Sequence, residues 1–367
     1  MRIERVEFIY ADLPLVRPFQ TSFSTQRERH LIVFKVHTDL GIGWSECVAM
    51  AEPLYSSEYL AGCVDVVRTF FLPALKRVGN FEVGDIARIL EPFLGHPMAK
   101  AALETACLDA YLKSQNRSFA QFFGATRTKV DCGVSVGISS SIESLEEEVA
   151  SYIAQGYKRI KLKIQPGWDI KPVGRIRELY PNTLMQVDAN QAYSRADIPH
   201  LLQLDQFNLL LNEQPLHEHD ILGHAKLAAQ AKTPVCLDES IISLQTAQDA
   251  IEMKATTIIN IKPGRVGGYL ESKAIHDYCQ SIGIKVWCGG MLESGIGRAA
   301  NVALAALDGF KLPGDTSASD RYYKRDITEP FVMKDGQLEV PNKPGIGVAI
   351  DEEFLNSITI KQEEVRL

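Results

Sequence analysis

Lys163, Asp188, Glu213, Asp238 and Lys262 each close a short apolar run, at intervals of 25, 25, 25 and 24 residues. Three carboxylates bracketed by two amines can hold a divalent cation and move protons on either side of it. A single acid at the end of an apolar stretch could merely cap the next helix. Recurrence changes that reading. About 25 residues is one strand plus its return helix, so the five groups collect on one rim of a parallel barrel, where such folds keep their chemistry.

The first amine lies in RIKLKI, residues 159–164. Side chains alternate along a strand, which puts Arg159, Lys161 and Lys163 on one face and Ile160, Leu162 and Ile164 on the other. In a barrel the apolar face meets the helices, so the lysines point inward. A lone K-x-K would more simply be a strand with lysines toward solvent; the acids that follow at matched intervals decide for the interior. Carboxylates brought together repel unless protonated or sharing a cation. With oxygen ligands and no histidine or cysteine placed among them, Mg2+ fits better than zinc, and Mn2+ or another divalent cation could substitute.

Lys262, in IINIKPG, sits across the barrel from Lys163 with the acids on the strands between. Two amines facing each other over one bound carbon address its opposite faces. A carbon next to a carboxylate gives up its proton only if the resulting enediolate is held by positive charge. Burial, the neighbouring Lys161 and a metal are expected to lower a lysine's pKa enough for it to act as the base.

The elements that position these groups follow from pattern. Barrel strands are expected at 131–137, 159–164, 184–189, 208–213, 234–238, 258–262 and 284–288, with a weaker eighth at 309–312. Before them, strands at 3–10 and 30–37 flank a loop from Arg17 to Gln26, whose Pro18, Phe19 and Phe23 suggest an ordered lid. Helices are expected at 58–76 and 97–114, the second opened by Pro97. The fold class is α/β: a modified TIM (β/α) barrel with an α+β capping domain formed by the N-terminal segment and the C-terminal tail. The divisions are 1–124 for the cap with its lid, 125–315 for the barrel and 316–367 for the segment returning to the cap.

Composition agrees. The chain of 367 residues has room for a barrel of roughly 250 plus a smaller domain. A net charge of -7 without any basic block argues against nucleic acid. Seven cysteines without a C-x-x-C pair suit reduced, buried thiols and a cytoplasmic home. The N-terminus lacks the apolar stretch of a signal peptide, and no run reaches the roughly 18 apolar residues of a membrane span.

The segments SSEY at 56–59, GVSVGI, KLKIQPGWD, DAN, EQPL, CLDES, NIKPGRVGGY, WCGGMLESGIGRAAN and LPGDTSASDRYY carry a resemblance over essentially the whole chain. The chain resembles the enolase superfamily, in its muconate lactonizing enzyme subgroup. Within that subgroup it is similar to the o-succinylbenzoate synthases that are also N-acylamino (N-succinylamino) acid racemases.

The resemblance implies roles. Lys163 is the base and acid on one face, Lys161 tunes it and binds the substrate carboxylate, and Lys262 serves the opposite face. Asp188, Glu213 and Asp238 bind Mg2+, with Asn190 and Glu239 orienting ligands or lysine. Arg265 matches a position associated with racemase competence, against the plain alternative of a surface pairing. Ser135, Phe19, Phe23, Met50, Tyr55, Gly290, Met291 and Leu292 align with substrate-contacting regions, although Met50 and Met291 could equally be core filling. The implied substrate is a small carboxylate with a succinyl or N-acyl arm, and the implied assembly a homo-oligomer, from dimer to octamer. Dipeptide epimerisation and muconate-type cycloisomerisation are alternatives in the same fold; the former requires an acid near 290–300 to grip a free amine, which Glu293 partly meets. From other classes, a Schiff-base aldolase would use a barrel lysine without needing three acids, and a non-catalytic binding barrel would leave buried charges without a purpose.

Overall fold

The computed structural model describes residues 1–367. Two sheets organise it. The cap sheet is antiparallel, in the order β13–β1–β2–β3, where β1 is Ile3–Gln20, β2 Thr25–Thr38, β3 Gly41–Cys47 and β13 Thr359–Arg366. The last strand pairs with the first, Arg5 opposite Arg366, so the two ends of the fold meet in one sheet. Phe8 and Phe34 face each other across β1 and β2 with ring centroids 5.0 Å apart, edge to face. Such pairs fix register and add to area burial.

The helix Pro97–Ser114 is buried nearly all round, because one side packs on β3 and another on the short helix Pro263–Val266 of the barrel. Gly43 is required at this seam: a Cβ there would lie 1.8 Å from the Ala106 carbonyl oxygen. The helix expected at 58–76 runs instead as Leu60–Val66, a wider turn at Val67–Phe71, and Leu72–Val78.

The second sheet is parallel and seven-stranded, in the order β11–β10–β9–β8–β7–β6–β5. Its strands are β5 Gly133–Val136, β6 Arg159–Lys163, β7 Leu184–Asp188, β8 Asn212–Glu213, β9 Val235–Leu237, β10 Ile258–Ile261 and β11 Lys285–Cys288. The eighth strand expected at 309–312 is absent as a strand. Single bridges take its place, Phe310 to Val286 and Gly314 to Cys132. Gly133 N donates to Gly314 O at 2.7 Å and Asp315 N to Cys288 O at 2.8 Å. Pro313 has no N–H to offer a ladder, which explains why the closing segment does not form one. Two further short strands, β4 Lys129–Asp131 and β12 Gln337–Glu339, pair antiparallel at the foot of the barrel. A small interior cluster of Leu211, Cys236, Ile258 and Trp287 fills the barrel below the charges.

All seven cysteines are free and buried. No helix is long and apolar enough to cross a membrane.

Candidate active site

Period-two alternation delivers the charges inward as expected. Lys161 and Lys163 on β6, Asp188 closing β7, Glu213 closing β8, Asp238 just past β9 and Lys262 just past β10 are all buried. The ladder places Lys163 directly beside Asp188 and Asp188 beside Glu213.

Each ammonium is pinned by carboxylates. Lys163 Nζ donates to Asp188 Oδ2 and to Asn190 Oδ1, both at 2.6 Å. Lys262 Nζ donates to Asp238 Oδ2 at 2.6 Å and to the Tyr55 hydroxyl at 3.0 Å. Lys161 Nζ lies 2.7 Å from Asp315 Oδ2, 3.1 Å from Glu213 Oε2 and 3.4 Å from Asp188 Oδ2. Lys161 also stands 4.8 Å above the Trp287 ring. Asn190 is central: its side-chain amide donates to Glu239 Oε1 at 2.9 Å while its oxygen receives Lys163. Asn260 Nδ2 donates to Glu213 Oε1 at 2.7 Å.

These pairings set the electrostatics. Burial alone would lower the pKa of Lys161, but Asp315, Glu213 and Asp188 outweigh it and hold the ammonium above its ordinary value. Lys262 is likewise held well above, burial being overcome by Asp238, Tyr55 and Glu239. At Lys161 and Lys262 the surrounding carboxylates therefore outweigh burial. Burial would raise Asp188, yet Lys163, Lys161 and Lys262 pull it below the usual carboxylate range. Glu213 is pushed well up, by burial and then by Asp188. Burial, Asp238 and Asp188 push Glu239 up to about 7.

The donor set fits a hard cation. Asp238 Oδ1, Glu239 Oε2 and Asn260 Oδ1 are buried and accept no hydrogen bond, and Glu213 Oε2 has only the Lys161 ammonium beside it; unsatisfied buried oxygens are costly unless something binds them. Oxygen-only coordination from carboxylates is the preference of magnesium. Outside the barrel, Asp12, Glu28 and His30 bring possible ligand atoms within 4.8 Å of one another. They lie on the outer edge of β1 and β2, where His30 Nδ1 is hydrogen-bonded to Asp12 Oδ1 at 2.6 Å as a surface pair.

A lid covers this site. Strands β1 and β2 extend through most of the loop expected at 17–26, with Phe19 opposite Gln26, so only residues 21–24 turn. The tip touches the barrel rim: Ser22 Oγ donates to Ala189 O at 3.0 Å. Beneath it one pocket is lined by Phe19, Phe23, Met50, Tyr55, Ser135, Gly290, Met291 and Leu292, together with Lys161, Lys163, Asn190 and Lys262. All eight expected substrate-contacting residues therefore meet the lysines in one cavity. The widest cleft of the molecule, among residues 318–333 and 349–351, is open and receives none of the barrel charges.

Arg265 is not at the surface. It is 3% exposed, donates to the backbone oxygen of Glu239, and its Nε lies 3.9 Å from Asp238 Oδ1. Its guanidinium also lies 5.1 Å from the centre of the Tyr55 ring. Asp315 escaped the sequence reading. Its signal was weak: it lies 53 residues beyond Lys262, off the 25-residue interval, and only the weak run at 309–312 precedes it.

Residues 5–124 match the N-terminal domain of the mandelate racemase / muconate lactonizing enzyme family, and residues 144–354 match the family described as enolase C-terminal domain-like. The chain belongs to the enolase superfamily. Within this superfamily it is 55% identical, over 98% of both chains, to an N-succinylamino acid racemase of an Amycolatopsis species. It is 41% identical to an o-succinylbenzoate synthase of Geobacillus kaustophilus, over 98% of this chain and 96% of the relative. A solved enolase superfamily member from Listeria innocua superposes with a TM-score of 0.95 at 38% identity, covering 100% of this chain and 99% of that one. These likenesses place the chain in the o-succinylbenzoate synthase and N-succinylamino acid racemase family of the superfamily.

Proposed function

We propose that the protein abstracts the proton alpha to a carboxylate, as an N-succinylamino or N-acylamino acid racemase and an o-succinylbenzoate synthase. One observation carries the reading: Lys163 on β6 and Lys262 beyond β10 flank the three strands that bear Asp188, Glu213 and Asp238, and Lys161, Lys163 and Lys262 line one lidded pocket, each paired with one of those acids.

Asp188, Glu213 and Asp238 are the residues to hold Mg2+, with Mn2+ an alternative of the same chemistry. When bound, the cation supplies the positive charge that makes an enediolate accessible. Carboxylates that turn to the cation would release the lysines they now hold, leaving those amines free to act as acid and base. Lys163 Nζ then takes the alpha proton as the C–H electron pair moves into the carboxylate, and Lys161 pairs with the negative oxygens. In racemisation Lys262 Nζ returns a proton to the opposite face. In dehydration Lys163 serves both proton steps, protonating the departing hydroxyl, while Lys262 stabilises the enediolate. Asn190, between Lys163 and Glu239, fixes the direction of the first lysine. The lid tip excludes water from the charged rim.

The 55% identity to a racemase, and the buried Arg265 beside the carboxylate that holds Lys262, favour the racemase activity. Dipeptide epimerisation is disfavoured because Glu293 is already engaged, accepting from Asn301 Nδ2 at 3.0 Å. Free, buried thiols agree with a reducing cytoplasm, and a homo-oligomer is part of the same proposal.

The test is incorporation of solvent deuterium at the alpha carbon of N-succinyl amino acids, followed by NMR. Exchange should require Mg2+, disappear on chelation and drop by about 1,000-fold or more in Lys163→Ala. Persistence of exchange in that variant would overturn the assignment of the base. Borohydride trapping of substrate on Lys163 or Lys262 would favour a Schiff-base aldolase instead.

A further inference from the structure

Five charged side chains line the pocket beneath the lid: Arg29, Lys161, Lys163, Lys262 and Asp315. The three lysines are held by carboxylates, and Asp315 by Lys161 and Arg159. Arg29 has no partner. It is 2% exposed, its Nε and Nη2 are buried without a hydrogen bond, and its guanidinium joins no ion pair. A buried cation left alone is expensive.

The carboxylate on which the Arg29 charge acts, Glu46, is committed elsewhere. Glu46 on β3 accepts from Ser294 Oγ at 2.9 Å, Ser294 N at 3.2 Å and Gly297 N at 2.7 Å. Burial and the neighbouring Glu293 push its carboxyl up to about 7, so near neutrality it offers Arg29 less than a full counter-charge.

Position narrows what Arg29 serves. It is the one charged pocket residue supplied by the cap, on β2 opposite Leu13 and five residues past the lid tip. The barrel supplies all the others, at the end where the reacting carbon is proposed to sit. A planar guanidinium with free donors matches a carboxylate in fork geometry.

We propose that Arg29 is a specificity-determining residue whose guanidinium receives the terminal carboxylate of a dicarboxylic acyl arm, at the end of the substrate far from the barrel lysines. This rests on the function proposed above. It makes the succinyl group a recognised feature of the substrate, in addition to the fit of its chain against Phe19, Phe23 and Met50.

The experiment compares N-succinyl- and N-acetyl-L-phenylalanine with Mg2+ in the wild type, Arg29→Met and Arg29→Lys. Alpha-deuterium exchange gives kcat/KM for each substrate, and calorimetry gives Kd. The succinyl-over-acetyl ratio should favour succinyl in the wild type and fall by about tenfold to a hundredfold in Arg29→Met, with partial recovery in Arg29→Lys. An equal loss on both substrates would assign Arg29 to structure, supporting Glu46, and overturn the proposal. A wild type without preference for the succinyl arm would overturn it too. If the wild type exchanges neither substrate, the function reading fails. The Kd ratios then still judge Arg29, supporting it if Arg29→Met removes a succinyl preference and overturning it otherwise.

Discussion

Lys161 reaches past β5 to Asp315, donating to Oδ2 at 2.7 Å while Arg159 Nη2 holds Oδ1 at 2.9 Å. Two buried cations on one strand are thus tied by a carboxylate from the segment that closes the barrel. Asp315→Asn should destabilise the fold by ~3 kcal/mol, because it leaves both cations without their shared counter-charge. Thermal unfolding of the purified variant measures this. Unchanged stability would mean that Glu213 and Asp188 suffice for Lys161 and that Trp287 suffices for Arg159.

Divalent metal should stabilise the protein. At a concentration a hundred times its Kd, Mg2+ adds ~2.7 kcal/mol, read as a rise in Tm of several degrees. Asp238→Asn and Glu213→Gln should remove the rise. Affinity should weaken as pH falls, since Glu213 holds its proton well above the usual carboxylate range and competes with the cation. Calorimetric titration between pH 6 and 8 distinguishes this from a pH-independent surface site.

Glu104 gives a pH dependence remote from the reaction. It is buried against the helix that starts at Tyr269, accepts from Tyr269 N at 2.6 Å, and burial pushes its carboxyl up to about 7. A raised folded-state pKa means that the folded chain binds the proton more tightly than the unfolded one. The associated stability is full below about pH 4.5, the unfolded value, and is lost as pH rises through about 7. Glu104→Gln should therefore gain on the wild type by about 1–3 kcal/mol between pH 5 and pH 8. Denaturant midpoints at those two pH values check the sign. A variant that loses ground to the wild type as pH rises contradicts it.

Arg265 should bias the two faces unequally. It lies beside Asp238, which grips Lys262, and has no contact with Lys163. In Arg265→Gln, deuterium exchange of the enantiomer deprotonated by Lys262 should slow about tenfold more than exchange of its mirror image. Equal slowing would reduce Arg265 to a packing residue.

The barrel rim was readable from the chain because it rests on two simple periods, alternation within a strand and a constant strand-helix interval. Those periods carried Lys161, Lys163, Asp188, Glu213, Asp238 and Lys262 to their places. Asp315 was not readable in the same way: it follows Gly314 and Pro313 on a closing segment held by single bridges. The lid was read as a loop although its strands continue to Gln20 and from Thr25, since Pro14, Pro18 and a run of hydroxyls imitate loop composition while cross-strand partners remain invisible. Arg29 had a weak signal, sharing the inward face of Leu31 and Val33 on β2. A single arginine in RERH nonetheless reads as solvated until the partner strand is known.

The pairing of β13 with β1 bears on synthesis. The hairpin that forms the lid hangs from a sheet whose outer strand is made only after the entire barrel has been translated. A nascent chain therefore carries β1 with an open edge through the assembly of the barrel, exposed to any other strand that can add to it. Unequal crossover between neighbouring polysomal chains, with one molecule's closing strand docked on another's opening strand, is the misassembly this architecture invites.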